Sequence, residues 1–139
     1  MNYVVITEND VSQLKDNTGR EYHFPKRYLK YLTKGTFIVY YKGRIKDSSF
    51  ASKRMTRDPH YFGIAEIGEV KQDNDSEKND YYAEIINFKP FSYPVLAKQN
   101  SQFIEKIPTS KFQNYWRDGV RPVNEETFNS IIVLSDLNS

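Results

Sequence analysis

The sequence predicts an α+β fold: a small curved β-barrel flanked by short helices. Three observations carry this. Runs rich in β-branched and aromatic residues at 36–41, 61–70 and 81–88 read as strands. Gly63 and Gly68, inside the second run, supply the bulge or tight curl that a closing sheet needs. The helical signals are short, and no heptad or internal repeat extends them.

In chain order, residues 2–7 are β-rich and form a first strand, followed by a polar stretch over 8–21 with a turn at Asn17-Thr18-Gly19. Pro25 suits a first helical position, where its missing N–H costs nothing. Tyr28, Leu29 and Leu32 then share one helical face, and Gly35 closes the helix as its C′ residue. Residues 43–58 are polar, basic and serine-containing and read as a loop. In the 61–70 strand Phe62, Ile64 and Val70 share one parity, which Ile67 breaks. An acidic, asparagine-rich hairpin loop spans 72–80. The 81–88 strand ends at Lys89-Pro90, and 91–97 is extended with Pro94 favouring an edge. Residues 101–107 and 111–116 each read as a helical turn or two. Asn124 caps a final helix whose first turn carries Glu125 and Glu126, where carboxylates meet the positive end of the dipole. Phe128, Ile131 and Ile132 form its apolar face.

Composition narrows the class. The 139 residues suit one domain with a real core, read over 1–139 as either complete or cut from a longer chain. Aromatics make up 15%, with 11 Tyr, 9 Phe and 1 Trp, so much of the core must be built from rings. There is no cysteine, hence no disulfide framework and no thiolate metal site. No apolar run of about 18 residues is present to span a membrane. The N-terminal residues lack the basic region of a signal peptide. These features lead us to expect a cytoplasmic protein. The net charge of +2 conceals segregation. Between Lys15 and Arg57, 12 Lys/Arg face 3 acids; between Glu66 and Glu84, 7 acids face 2 lysines. A basic third beside an acidic third points to a polyanion partner.

Most enzyme classes fall away. Two histidines are too few for an HNH-type nuclease, and no zinc-ligand spacing occurs. No dinucleotide-binding glycine motif, P-loop or nucleophile elbow is present. The Asp … Glu-x-Lys nuclease pattern is missing. Glu66, Glu69 and Glu84 on neighbouring strands leave a Mg²⁺ site as an alternative, but acids on a barrel exterior are commonplace. We therefore expect no metal, no cofactor and no catalytic residues.

The binding signals are sharper. Tyr22-His23-Phe24-Pro25 reads either as one wall of a base pocket or as a hydrophobic staple packed on Leu29. In Tyr40-Tyr41-Lys42-Gly43-Arg44, alternation sends the two tyrosines to opposite faces, so only one can line a pocket. Gly43 permits close backbone approach, and Lys42 and Arg44 can hold phosphates. A plain hairpin edge protected by lysine is the competing reading. Lys26, Arg27, Lys30 and Lys34 face solvent or a ligand. Lys53, Arg54 and Arg57 either clamp a backbone or decorate a solvated loop. Trp116, the single tryptophan, sits beside Arg117 and Arg121 and is either core or ligand contact.

Two segments carry a family likeness: Tyr22-x-Phe24-Pro25-x-x-Tyr28 leading into Ile38-x-Tyr40-Tyr41-x-Gly43, and Tyr61-Phe62-Gly63-Ile64-Ala65-Glu66-Ile67-Gly68-Glu69-Val70. With residues 82–94 and 115–128 added, the chain resembles small PUA-like domains, the superfamily that includes EVE, YTH and ASCH domains. Such domains are found beside nuclease domains in prokaryotic modification-dependent restriction proteins. The resemblance implies a PUA-like curved β-barrel flanked by short helices, with a pocket for one extruded, often modified, base. It maps that pocket onto Tyr22, His23, Tyr41, Lys42, Gly43, Arg44 and Trp116. This chain has one tryptophan where YTH readers have a multi-tryptophan cage.

The expected function is therefore a DNA-binding reader with no catalysis of its own, acting on double-stranded DNA, with a nuclease domain in cis or trans. Lys26, Arg27, Lys30, Lys53, Arg54, Arg57 and Arg117 would hold phosphates. The alternatives are an RNA-binding module of the same fold, a metal-dependent nuclease and a protein-interaction domain.

Overall fold

The computed structural model describes residues 2–10, 18–75, 80–111 and 114–136. Its frame is one six-stranded sheet built from β1 (Tyr3–Thr7), β2 (Glu21–Phe24), β3 (Phe37–Lys42), β4 (His60–Gln72), β5 (Tyr81–Leu96) and β8 (Val120–Val123). The strand order is β2-β5-β4-β3-β1-β8. β1 runs parallel to β3 and antiparallel to β8; the other pairings are antiparallel. A two-stranded hairpin, β6 (Lys98–Gln99) and β7 (Gln102–Phe103), and one helix, α1 (Glu125–Ser135), complete the expected α+β architecture. Among the described residues no helix is long and apolar enough to cross a membrane.

The sheet curls because its two long strands bend. β4 and β5 pair through three register shifts, at Tyr61/Gly63, Ile64/Glu66 and Ile67/Val70. Each shift adds local twist. The irregularities at Tyr61/Gly63 and Ile67/Val70 also change which face a residue meets: Phe62, Ile67 and Val70 pack on the inner core and Ile64 on the outer one, not on a common face as the sequence alternation predicts. Asn87 adopts a positive φ of 55° within β5. Curling separates two cores. Inside lie Val4, Ile6, Tyr22, Phe24, Ile38, Tyr40, Ala65, Ile67 and Ile85. On the outer face Val5, Val39, Tyr41, Tyr61, Phe91 and Val95 pack against Phe128 and Ile131 of α1. Covering both faces is why β1 and β3 are buried almost without alternation.

The final helix forms as its cap predicts, with the Asn124 side chain accepting from the Thr127 N–H at 2.7 Å. Elsewhere the structure corrects the sequence reading. Residues 25–34 are not an α-helix but a 3₁₀ turn at Lys26–Tyr28 followed by further turns. The segment is too short to propagate a helix by itself, and its path is set by burying Tyr28 and Leu32 in the barrel. Gly35 still ends it at φ 90°. Residues 101–107 are not helical; Asn100 and Ser101, both at positive φ, form the tight turn of the β6–β7 hairpin. β5 runs on through Pro90 and Pro94 to Leu96. Beyond Glu84 it has lost its neighbour β2, so the missing proline N–H groups leave no ladder bond unmade. The short edge strands β2 and β8 carry no sequence signal that predicts them.

A Cβ at Gly63 would meet Phe88 Cε1 at 2.7 Å and the Lys89 carbonyl at 3.2 Å, and Phe88 packs edge-on against Tyr40. Gly63→Ala is expected to destabilise the fold by about 1–3 kcal/mol in urea denaturation. Gly43→Ala, with nothing within 4 Å of the added methyl, serves as the near-neutral control.

Candidate nucleic-acid interface

The site grows from one buried ion pair. Arg121 on β8 donates from Nε to Glu105 Oε1 at 2.8 Å and from Nη2 to Oε2 at 3.0 Å. Its Nη1 donates to Thr7 Oγ1 at 3.1 Å and to the Asp118 carbonyl at 3.0 Å. Glu105 also accepts from the Tyr61 hydroxyl at 2.6 Å and from Tyr115 at 2.8 Å. Burial opposes the guanidinium charge, but the hydrogen bonds and charge of Glu105 outweigh it and hold Arg121 above its ordinary pKa. Burial, then the Glu105 charge, push the Tyr61 and Tyr115 phenols up, so both stay neutral donors.

Over this cation lie the aromatic rings. The Arg121 Cζ is 4.6 Å from the Tyr41 centroid and 4.8 Å from that of Trp116. Tyr41 and Trp116 stack on each other at 5.5 Å with planes 24° apart. They border a cleft of about 620 Å³ between the end of β1, the end of β3 and the loop that follows it. Tyr40 points into the barrel instead, as alternation requires.

A second ionic cluster forms the other wall. Asp10 bridges Lys42 Nζ at 3.2 Å and Arg54 Nη1 at 3.0 Å, and the lysine also reaches the Glu8 carbonyl at 3.4 Å. Arg54 donates further to the carbonyls of Gly43 and Thr56, stapling the loop to itself. Its 3₁₀ turn, Ser48–Lys53, is capped by Asp47 accepting from the Ser49 N–H at 3.0 Å. Behind this cluster His60 is fully buried, its Nδ1 at 2.8 Å from the Asp58 carbonyl. Desolvation lowers its pKa, with help from the nearby charges of Arg54 and Lys42.

The structure thus gathers Tyr41, Lys42, Gly43, Arg44, Arg54 and Trp116 around one cleft. It does not bring Tyr22 or His23 there. Tyr22 is 6% exposed in the inner core, its hydroxyl donating to the Thr7 carbonyl at 3.1 Å. His23 lies on β2 beside the Tyr82 ring. Lys42 and Arg54 line the cleft but are buried and paired, so they shape it rather than present free charge. Arg44, Lys46, Lys53 and Arg57 are the exposed cations of this loop, Arg44 lying 3.8 Å from Asp58. Lys26, Arg27, Lys30 and Arg117 are exposed elsewhere. Glu69 is engaged by Lys34 at 2.6 Å, and among the described residues no three acids or histidines converge to hold a metal. The sequence carries no signal for Glu105, and it leaves Arg121 open between pairing with Asp118 or the acidic loop and contacting phosphate; no local motif links Arg121 to Glu105.

No family model matches the chain, and no curated protein matches it in sequence. Solved structures do match in shape. Human THYN1 protein, in complex with DNA containing 5-methylcytosine, aligns over 98% of this chain and 98% of its own, with a TM-score of 0.60 at 10% identity. A protein from Pseudomonas putida aligns over 96% of this chain and 99% of its own, with a TM-score of 0.57 at 14% identity. At these identities the likeness shows the fold, the small α+β PUA-like barrel expected from the sequence.

Glu105→Gln keeps the side-chain shape but strips the counter-charge from Arg121. It should cost about 3 kcal/mol in urea denaturation, and Glu105→Gln with Arg121→Met should recover part of that loss; a neutral single variant would overturn the role given to the pair. Burial, only partly countered by Arg121, pushes the Tyr41 phenol from 10.0 to about 12. Its contribution to stability is therefore complete below pH 10.0 and is lost as pH rises toward about 12, because the unfolded phenol ionises first. Denaturation midpoints measured across that range should fall with pH in the wild type, and less steeply in Tyr41→Phe.

Proposed function

We propose that this chain is a DNA-binding reader module that takes one flipped, modified base into the Tyr41–Trp116 cleft. The observation that carries the reading is the cleft itself: about 620 Å³, walled by two stacked rings over a buried guanidinium and rimmed by exposed Arg44 and Lys46. An extruded base offers a flat face to such rings, and stacking is worth about 1–3 kcal/mol per base. Extrusion costs a few kcal/mol, least where pairing is already weakened by damage or a mismatch. Lys53 and Arg57, exposed on the same loop, would with the rim hold phosphates of double-stranded DNA. The likeness in fold to a protein solved with 5-methylcytosine DNA supports this choice of ligand. On this reading the chain recognises and does not cut; a nuclease domain in cis or trans, in a prokaryotic restriction setting, would do the cleavage.

Trp116 is the chain's single tryptophan and reports on the cleft directly. Titrations of its fluorescence should use matched duplexes with plain, 5-methyl, 5-hydroxymethyl and N6-methyl bases, with single-stranded DNA and RNA alongside. The expected result is quenching and tighter binding with one modified duplex. An anisotropy assay should then show Trp116→Ala weakening that duplex by about ten-fold or more. Equal binding of all duplexes, or preference for RNA, overturns the proposal.

A further inference from the structure

The barrel is not zipped shut. Its sheet ends at β2 on one side and β8 on the other, and the gap is bridged by tyrosine hydroxyls rather than by a strand ladder. Tyr22 donates across it to the Thr7 carbonyl, and the Gly119 N–H donates to the Tyr28 hydroxyl at 3.1 Å. Along this seam open two adjoining cavities of about 270 and 420 Å³, which share Lys30, Tyr31 and Pro122.

The smaller cavity of the seam is rich in cations and holds a spare donor; in the larger one Lys30 faces Glu125. Arg27 and Lys30 are exposed, and among the described residues neither closes an ion pair; Asp118, the acid lining the smaller cavity, is engaged by Lys111 at 3.6 Å. Tyr28 is 7% exposed and lines that cavity. Both of its hydroxyl's hydrogen-bond partners are donors, the Gly119 N–H and Arg27 Nη2, each at 3.1 Å. The phenol hydrogen is thus left without an acceptor among the described residues. A spare phenol hydrogen beside two exposed cations, Arg27 feeling the charge of Asp118 without closing an ion pair with it, suits an anionic oxygen. An added peptide strand suits this edge less well, because β8 is four residues long and Pro122 removes one of its donors.

The seam also borders the first cleft. The 3₁₀ turn Tyr115–Arg117 separates them: Tyr115 lines the seam and Trp116 the cleft. Arg121 lines the seam while lying under the Trp116 and Tyr41 rings.

We infer that the seam is a second nucleic-acid contact, a slot where Arg27, Tyr28 and Lys30 hold the phosphodiester backbone flanking the base bound in the Tyr41–Trp116 cleft. This rests on the reading of that cleft as a base site. The test uses Arg27→Glu and Lys30→Glu, both on exposed side chains. Lys34→Glu, the same charge change at a lysine paired with Glu69, is the control. Two quantities are measured: the salt dependence of the dissociation constant for the preferred modified duplex, and Trp116 quenching by the corresponding free nucleoside, which has no phosphate. The expected result is a salt slope lowered by about 1 in each seam variant. Duplex binding should be several-fold weaker, with nucleoside quenching intact and Lys34→Glu close to wild type. Unchanged slopes with intact quenching overturn the seam and leave the base cleft standing. An equal drop in Lys34→Glu also overturns it, since the effect is then one of net charge. No nucleoside quenching in the wild type overturns the base cleft, and with it the path from base to seam.

Discussion

The fold hangs on the Arg121–Glu105 pair. Two charges removed from water cost several kcal/mol each unless almost every lone pair and proton is met. Here the guanidinium reaches a carboxylate, a hydroxyl and a carbonyl, and the carboxylate in turn accepts from two phenols. The cost is offset only if β1, β4, β8, the segment after the β6–β7 hairpin and the Tyr115–Arg117 turn all stand where they do. A four-residue edge strand such as β8 cannot be held by its ladder alone. The pair supplies the missing constraint, and its contribution is to geometry more than to net stability.

The same constraint builds the cleft. Because Arg121 is fixed, the rings of Tyr41 and Trp116 lie against a cation of defined position, and their mutual stacking follows. The Asp10 cluster does the equivalent on the opposite wall by tying Lys42 and Arg54 together. A ligand entering between these walls would meet a preformed surface and lose little free energy in ordering it.

The charge pattern is more selective in space than in sequence. Within the basic third, Lys42 and Arg54 are consumed in the cleft wall and Lys34 is answered by Glu69 across from β4. Among the described cations that close no ion pair, Lys46, Lys53 and Arg57 lie on the loop after β3, and Arg27 and Lys30 on the seam beside β8. Two groups of exposed cations therefore lie on either side of the Tyr115–Arg117 turn, although they are continuous in sequence.

Some of this was determined by the sequence alone. Long runs of β-branched and aromatic residues specify β3, β4 and β5. The opposite facing of Tyr40 and Tyr41 follows from strand geometry, and Asn124 with two acids starts α1. These are signals that act within a few residues, where backbone sterics and local hydrogen bonds decide. The tertiary structure alone decided the rest: β2 and β8, too short to show a period; the turn at residues 25–34, shaped by what Tyr28 and Leu32 bury; the withdrawal of Tyr22 into the core; and the union of Arg121 with Glu105. Charges buried far apart in sequence select one another only once packing has excluded the water that would otherwise solvate them, and no local pattern records that choice.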